Sequence, residues 1–177
     1  MKRILIVALV MLAAAGAFAA TTAQHLINLN VVAFCAIELD PDTSTITMTP
    51  QTPADAGDPP ADDTNTTKHL WYTVIRTGPL TSKITVEWRA TDAAPSGCAL
   101  TVQATNMGGF GNSAGLVTFV NLNSTPQDFI TGIPSCYTTR VANAGPRIDY
   151  TLDVQVPGNL TVGDNHQVQI TYTISAT

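Results

Sequence analysis

Alternation with a period of two runs through most of this chain. Its first instance places Ile27, Leu29, Val31, Ala33, Cys35, Ile37 and Leu39 on one parity. The opposite parity starts polar, at Asn28 and Asn30, and turns apolar at Val32 and Phe34. The last instance sets Val168, Ile170, Tyr172 and Ile174 against Gln167, Gln169, Thr171 and Thr173. Side chains on successive strand residues point to opposite faces, so both stretches read as strands with one face turned to a core. Between them the pattern predicts strands near Ser44–Thr49, His69–Arg76, Ser82–Ala90, Cys98–Thr105, Gly115–Asn121, Asp128–Gly132 and Arg147–Val156. Turn chemistry separates them, as in Thr77-Gly78-Pro79, Pro95-Ser96-Gly97, Ala144-Gly145-Pro146 and Pro157-Gly158-Asn159.

No stretch after the first twenty residues sustains a helical stripe. A sheet with one apolar face must bury it against a second layer. The expected fold is therefore all-β, an immunoglobulin-like antiparallel β-sandwich of about eight or nine strands in a single domain over residues 20–177. Pro50–Thr67, rich in Pro, Asp and Thr, reads as a long exposed loop, and the Gly-rich Met107–Gly115 as a second.

Composition narrows the functional classes. The chain has 177 residues, 45% hydrophobic and 12% charged, with 12 Gly, 11 Pro and a net charge of −5. Eight Lys plus Arg and a pI near 4.8 argue against nucleic acid as a partner, which needs a basic footprint. Residues 1–19 have the three-part layout of a secretory signal peptide. Lys2 and Arg3 precede the apolar run Ile4–Leu12, and small residues lead to Ala17 and Ala19 before the expected cut. The rival reading, a membrane anchor, needs about 20 apolar residues, and this run is shorter. The mature chain is expected to be secreted, through the periplasm to the exterior or the cell surface, with no membrane span.

Candidate chemistry is sparse. His25, His69 and His166 are scattered and form no metal motif, and no cofactor is expected. Gly111-Asn112-Ser113-Ala114-Gly115 has neither the spacing nor the following helix of a nucleophile elbow. Asp55, Asp58, Asp62 and Asp63 crowd one loop, with Asp40 and Asp42 in a second group, at spacings that match no calcium loop. No catalytic constellation emerges, and the chain is read as non-enzymatic. Trp88 and Tyr150 share parity with core positions, whereas Tyr137, in a loop, is the candidate for an exposed aromatic. Asn65, Asn123 and Asn159 open glycosylation sequons that hint at exposed positions.

Export permits disulfides. Cys98 and Cys136 both sit at strand ends, where a bridge fits. Closing a loop of roughly 40 residues would contribute about 4 kcal/mol. Cys35–Cys98 is the rival pairing, while Cys35 on the apolar parity of its strand can instead serve as a small buried hydrophobe.

The first strand is overlong. Ile27 to Leu39 holds one parity over 13 residues, where a typical strand has about five or six. At 3.3 Å per residue it would run about 40 Å. Two readings follow. Either it bends or switches between the two sheets of one domain, or its later half belongs to this subunit while its earlier half completes a neighbour's sheet. Strand addition of the second kind yields open-ended filaments.

At both ends the chain resembles a known group. Leu29-Asn30-Val31-Val32-Ala33-Phe34-Cys35 is similar to the opening of chaperone–usher pilins and of spore-coat-protein-U-like secreted proteins. Gly163-Asp164 followed by Val168–Ile174 resembles their final strand. The resemblance implies a fimbrial structural subunit that self-associates into fibres by donor-strand exchange, with a periplasmic chaperone as a partner. Residues 20–34 would be the donor segment, carrying Ile27, Leu29, Val31 and Ala33, and Val168, Ile170, Tyr172 and Ile174 would line the acceptor. The alternative expectation is a secreted immunoglobulin-like binding module, a glycan or protein adhesin acting as a monomer through Tyr137 and the two long loops.

Overall fold

The computed structural model describes residues 24–40, 44–105, 110–111, 116–117, 119–163 and 166–177. The predicted signal peptide lies outside them. No helix among the described residues is long and apolar enough to cross a membrane. Two units are distinguished, Met1–Val31 and Val32–Thr177. In the first, the described residues 24–31 form no strand and are exposed. The second is an all-β sandwich of two antiparallel sheets.

Its strands, in chain order, are β1 Phe34–Asp40, β2 Asp63–Ile75, β3 Ser82–Trp88, β4 Cys98–Thr105, β5 Phe110–Gly111, β6 Leu116–Val117, β7 Val120–Asn121, β8 Gln127–Ile133, β9 Cys136–Tyr137, β10 Arg147–Val154 and β11 Ile170–Ala176. One sheet has the order β5-β9-β2-β10-β4-β7, with β1 also on β2, and the other runs β11-β3-β8-β6. The one helical piece among the described residues is a short turn at Pro157–Asn159.

Strand β2 organises the large sheet. His69 faces Asp40 of β1 on one flank and Arg147 of β10 on the other, and Val74 likewise lies between Cys35 and Cys136. So β9 and β10 occupy the same flank of β2, one after the other. Between them the Thr138 N–H donates to the Tyr72 carbonyl and the Leu70 N–H to the Pro146 carbonyl, while residues 139–145 leave the sheet as an excursion. Gly145 lets the chain return. Its φ is +77°, and a Cβ there would collide with the Leu70 carbonyl oxygen.

The core follows from alternation. Leu70, Tyr72 and Val74 of β2, Leu100, Val102 and Ala104 of β4, and Ile148, Tyr150 and Leu152 of β10 turn inward. They meet Ile84 and Val86 of β3 and Phe129, Ile130 and Ile133 of β8. The consecutive burial of Phe129 and Ile130 breaks the period of two, and the β3–β8 register shifts there, as a bulge requires.

Three boundaries differ from the sequence reading. β2 starts at Asp63, so the last five residues of the expected Pro50–Thr67 loop are strand. They run beside β10 and have no apolar alternation to reveal them. Thr residues favour the extended form, and the Thr49 N–H donates to the Asp63 carboxylate to hold the approach. The expected Gly115–Asn121 strand divides, with β6 on β8 of the small sheet and β7 on β4 of the large one. The expected strand over Ile27–Leu39 is a paired strand only from Phe34 onward.

Candidate functional site

The feature that sets this sandwich apart is an open flank. β1 is hydrogen-bonded along one side only, to β2, and β11 along one side only, to β3, among the described residues. The two strands approach one another without a ladder between them. Cys35 at the start of β1 has its Sγ 3.8 Å from the Ser82 Oγ, and Ser82 pairs with Ala176 at the end of β11. So β1 begins where β11 ends.

The side chains along this flank are half-buried. Ile37 and Leu39 of β1, Val168 just before β11, and Ile170, Tyr172 and Ile174 of β11 pack against the core yet keep part of their surface exposed. Ile46 and Met48, in the extended stretch 44–50, are likewise partly exposed while packing against the core. The sequence reading expected a strand over Ser44–Thr49; its alternation is present, but no ladder forms. Trp88 of β3 completes the apolar set, in line with its expected core parity.

Polar contacts fix the two edges. The Asp92 carboxylate accepts the Gln169 N–H at 2.6 Å and the Arg89 guanidinium at 2.8 Å. The Gln169 N–H and the guanidinium hold this carboxyl below the usual carboxylate range. The Arg89 N–H donates to the Gln169 carbonyl, so the approach to β11 is pinned from both sides. At the far end the Arg76 guanidinium donates to the Cys35 sulfur at 2.7 Å and to Ser82 Oγ at 2.9 Å. Across the sandwich, the Tyr172 hydroxyl lies 2.8 Å from that of Tyr150.

The expected Cys98–Cys136 disulfide is not formed, and all three cysteines are free thiols. Cys98 stands opposite Val154 at one end of β10, whereas Cys136 stands opposite Val74 near the other end of β2. The sequence had put both at strand ends, but they are different ends of the sheet. The rival Cys35–Cys98 pairing fails for the same reason. Cys35 and Cys136 flank Val74 from two sides, a separation of roughly two strand spacings, and a bridge needs Cα atoms within about 7 Å. Burial, with the carboxylates of Asp153 and Asp62, pushes the Cys98 thiol up, and burial does the same for Cys136.

The remaining sequence candidates are dispersed. His25 is exposed and His69 buried, and no three of the described His, Cys, Asp and Glu residues are grouped to hold a metal. Tyr137 is half exposed and faces Thr73 and Phe110 in register. Ile27, Leu29 and Val31, proposed for assembly, are 68%, 89% and 82% exposed, and Ala33 is exposed as well. No family model, no curated protein and no solved structure matches this chain.

Proposed function

We propose that the protein is a secreted structural subunit that builds a surface fibre by exchanging β-strands. One observation carries this reading. Among the described residues, two neighbouring strands, β1 and β11, each lack a partner along the flank they turn toward each other, and the apolar side chains of both are only half covered there. A strand added along one of these edges satisfies its main-chain groups and covers part of those side chains. The chain itself carries a segment of the required pattern in the alternating Ile27, Leu29, Val31 and Ala33. Fully burying three large aliphatic side chains of this sort contributes roughly 5–9 kcal/mol before ordering costs. Because donor and acceptor are different surfaces, the contact is heterologous and repeats without closing. The function is mechanical, and a periplasmic chaperone that lends a strand to the open flank before assembly fits the same geometry.

The test uses the mature chain from Ala20. Size-exclusion chromatography and negative-stain imaging should show polymers, and removal of residues 20–33 should leave soluble monomers. A synthetic peptide of residues 24–34 should bind that truncated chain and cap growth of the intact one. Filaments that persist without residues 20–33 overturn the proposal.

A further inference from the structure

The outer face of the large sheet holds a second arrangement, independent of the open flank. From His69 onward, past the irregularity in its pairing with β10, odd-numbered residues of β2 point away from the core, so His69 and Trp71 stand two apart on this face. Asp40 and Arg147 flank His69 in register, and Glu38 flanks Trp71. The excursion 139–145 folds over them. The Asn143 N–H donates to the Asp40 carboxylate at 2.8 Å, and Arg140 donates to Glu38 at 2.9 Å while its guanidinium lies 5.6 Å from the centre of the Trp71 ring.

Beneath this cover His69 is only 8% exposed. Its Nδ1 and the Trp71 Nε1 are both buried and have no hydrogen-bond partner among the described residues. Buried polar atoms are nearly always satisfied, so two orphans from residues two apart on one strand face call for a ligand that supplies both bonds. We propose that this face binds a neutral saccharide.

The chemistry of the surrounding groups selects that class. Trp71 Nε1–H can only donate and needs an acceptor, whereas the imidazole Nδ1 takes either role according to its tautomer. A hydroxyl accepts from one and donates to the other. An anion is disfavoured by the carboxylates of Asp40, Glu38 and Asp149, and a cation by the indole N–H together with Arg140 and Arg147. Vicinal sugar hydroxyls suit carboxylates as acceptors, and the indole ring offers an apolar platform to the C–H face of a pyranose. Arg140 now occupies that platform, but it is exposed and its Glu38 partner is too. Such a pair is weakly held, so the ligand displaces it at little cost. Strand β1 thereby serves both surfaces by parity, with Ile37 and Leu39 on the open flank and Glu38 and Asp40 on the outer face. This proposal does not depend on fibre formation.

The indole N–H resonance of Trp71, assigned by its persistence in Trp88→Phe, reports the bond directly. The intact mature protein is titrated with glucose, galactose, mannose, N-acetylglucosamine and their trisaccharides. Calorimetry is run in parallel, and binding to the same sugars as immobilised polymers is measured. The expected result is a shift of the Trp71 N–H signal, with the Trp88 signal unmoved. His69→Leu and Trp71→Phe should each weaken binding at least tenfold, and Arg140→Ala, a surface change that leaves the fold intact, should tighten it severalfold. Binding of free and immobilised sugars alike identifies a short saccharide as ligand. Binding of polymers alone, still sensitive to Trp71→Phe, identifies a displayed glycan. The proposal is overturned if no sugar moves the Trp71 signal, if His69→Leu and Trp71→Phe bind like the unaltered protein, or if a slowly exchanging buried water is found bridging the two atoms with sugars present.

Discussion

The hydroxyl of Tyr150 on β10 meets that of Tyr172 on β11 at 2.8 Å, joining the two sheets through the middle of the sandwich. Tyr172 also packs its ring against Phe129, with centroids 5.7 Å apart. The last strand is thus fastened to the opposite sheet by a polar bond in an apolar setting, although its outer edge is open.

This pair predicts an alkaline weakness. Burial raises the Tyr172 phenol well above its ordinary value and pushes that of Tyr150 up to about 12. The folded protein holds both neutral, while the unfolded chain ionises near 10. Their contribution is complete below pH 10 and is lost as pH rises from there through about 12. Urea midpoints should be level up to pH 9 and fall above 10. Tyr172→Phe leaves the Tyr150 hydroxyl unpaired and should cost about 1–3 kcal/mol at pH 7.

Asp92 predicts the opposite limb. Its carboxyl is held below the usual range, chiefly by the Gln169 N–H, so its contribution is present above the ordinary carboxyl value and is lost as pH falls below it. Asp92→Asn should remove that acid dependence. Hydrogen exchange at Gln169 should speed up in this variant while that of Val86, in the core, is unchanged.

Gly145→Ala should be among the most damaging single-methyl additions. The position combines a φ of +77° with a close approach to the Leu70 carbonyl oxygen. Strain at such a site is of order 1–3 kcal/mol, and the collision adds to it. A thermal melt several degrees lower, with the excursion 139–145 the first region to exchange, is the expected readout. Gly158→Ala, where no atom stands near the added methyl, is the matched control.

The free thiols predict that Cys98→Ser costs little. Loss of a native disulfide in a small exported domain removes about 2–5 kcal/mol. Here no bridge is present to lose, so the chemical denaturation midpoint should shift by far less. Intact mass before and after alkylation of the unfolded protein should count three reduced cysteines, and a count of one would show that a bridge forms after all.

Leu29→Asp should abolish polymers without altering the melting temperature of the monomer. Leu29 is almost wholly exposed, so a charge there harms nothing in the free subunit. Buried in a neighbour's apolar flank, an unpaired carboxylate is prohibitive. Light scattering and a thermal melt of the same sample separate the two effects.

Much of this architecture was legible as pattern. The period of two at Leu70–Val74, Ile84–Val86 and Ile148–Leu152 marks inward positions because burial acts on every second residue of a strand. Where a strand runs past the core, as at Asp63–Thr67, that pressure disappears and the residues look like loop. Ile46 and Met48 were visible as alternation but not as an unpaired stretch, since a ladder leaves no mark on the spacing of apolar residues. His69 and Trp71 carried no motif at all. The cluster they form with Asp40, Arg140 and Asn143 joins residues up to 103 positions apart in the chain.

The amino-acid order alone thus determined the class of fold, the faces of its main strands and the apolar character of the segment before Phe34, because these are local consequences of side-chain periodicity. Which strand pairs with which, which edges stay open, and which thiols lie too far apart to bridge were decided only by tertiary structure. Those outcomes depend on long-range register, and each strand's edges satisfy any partner's backbone equally well until packing of the whole sandwich selects one.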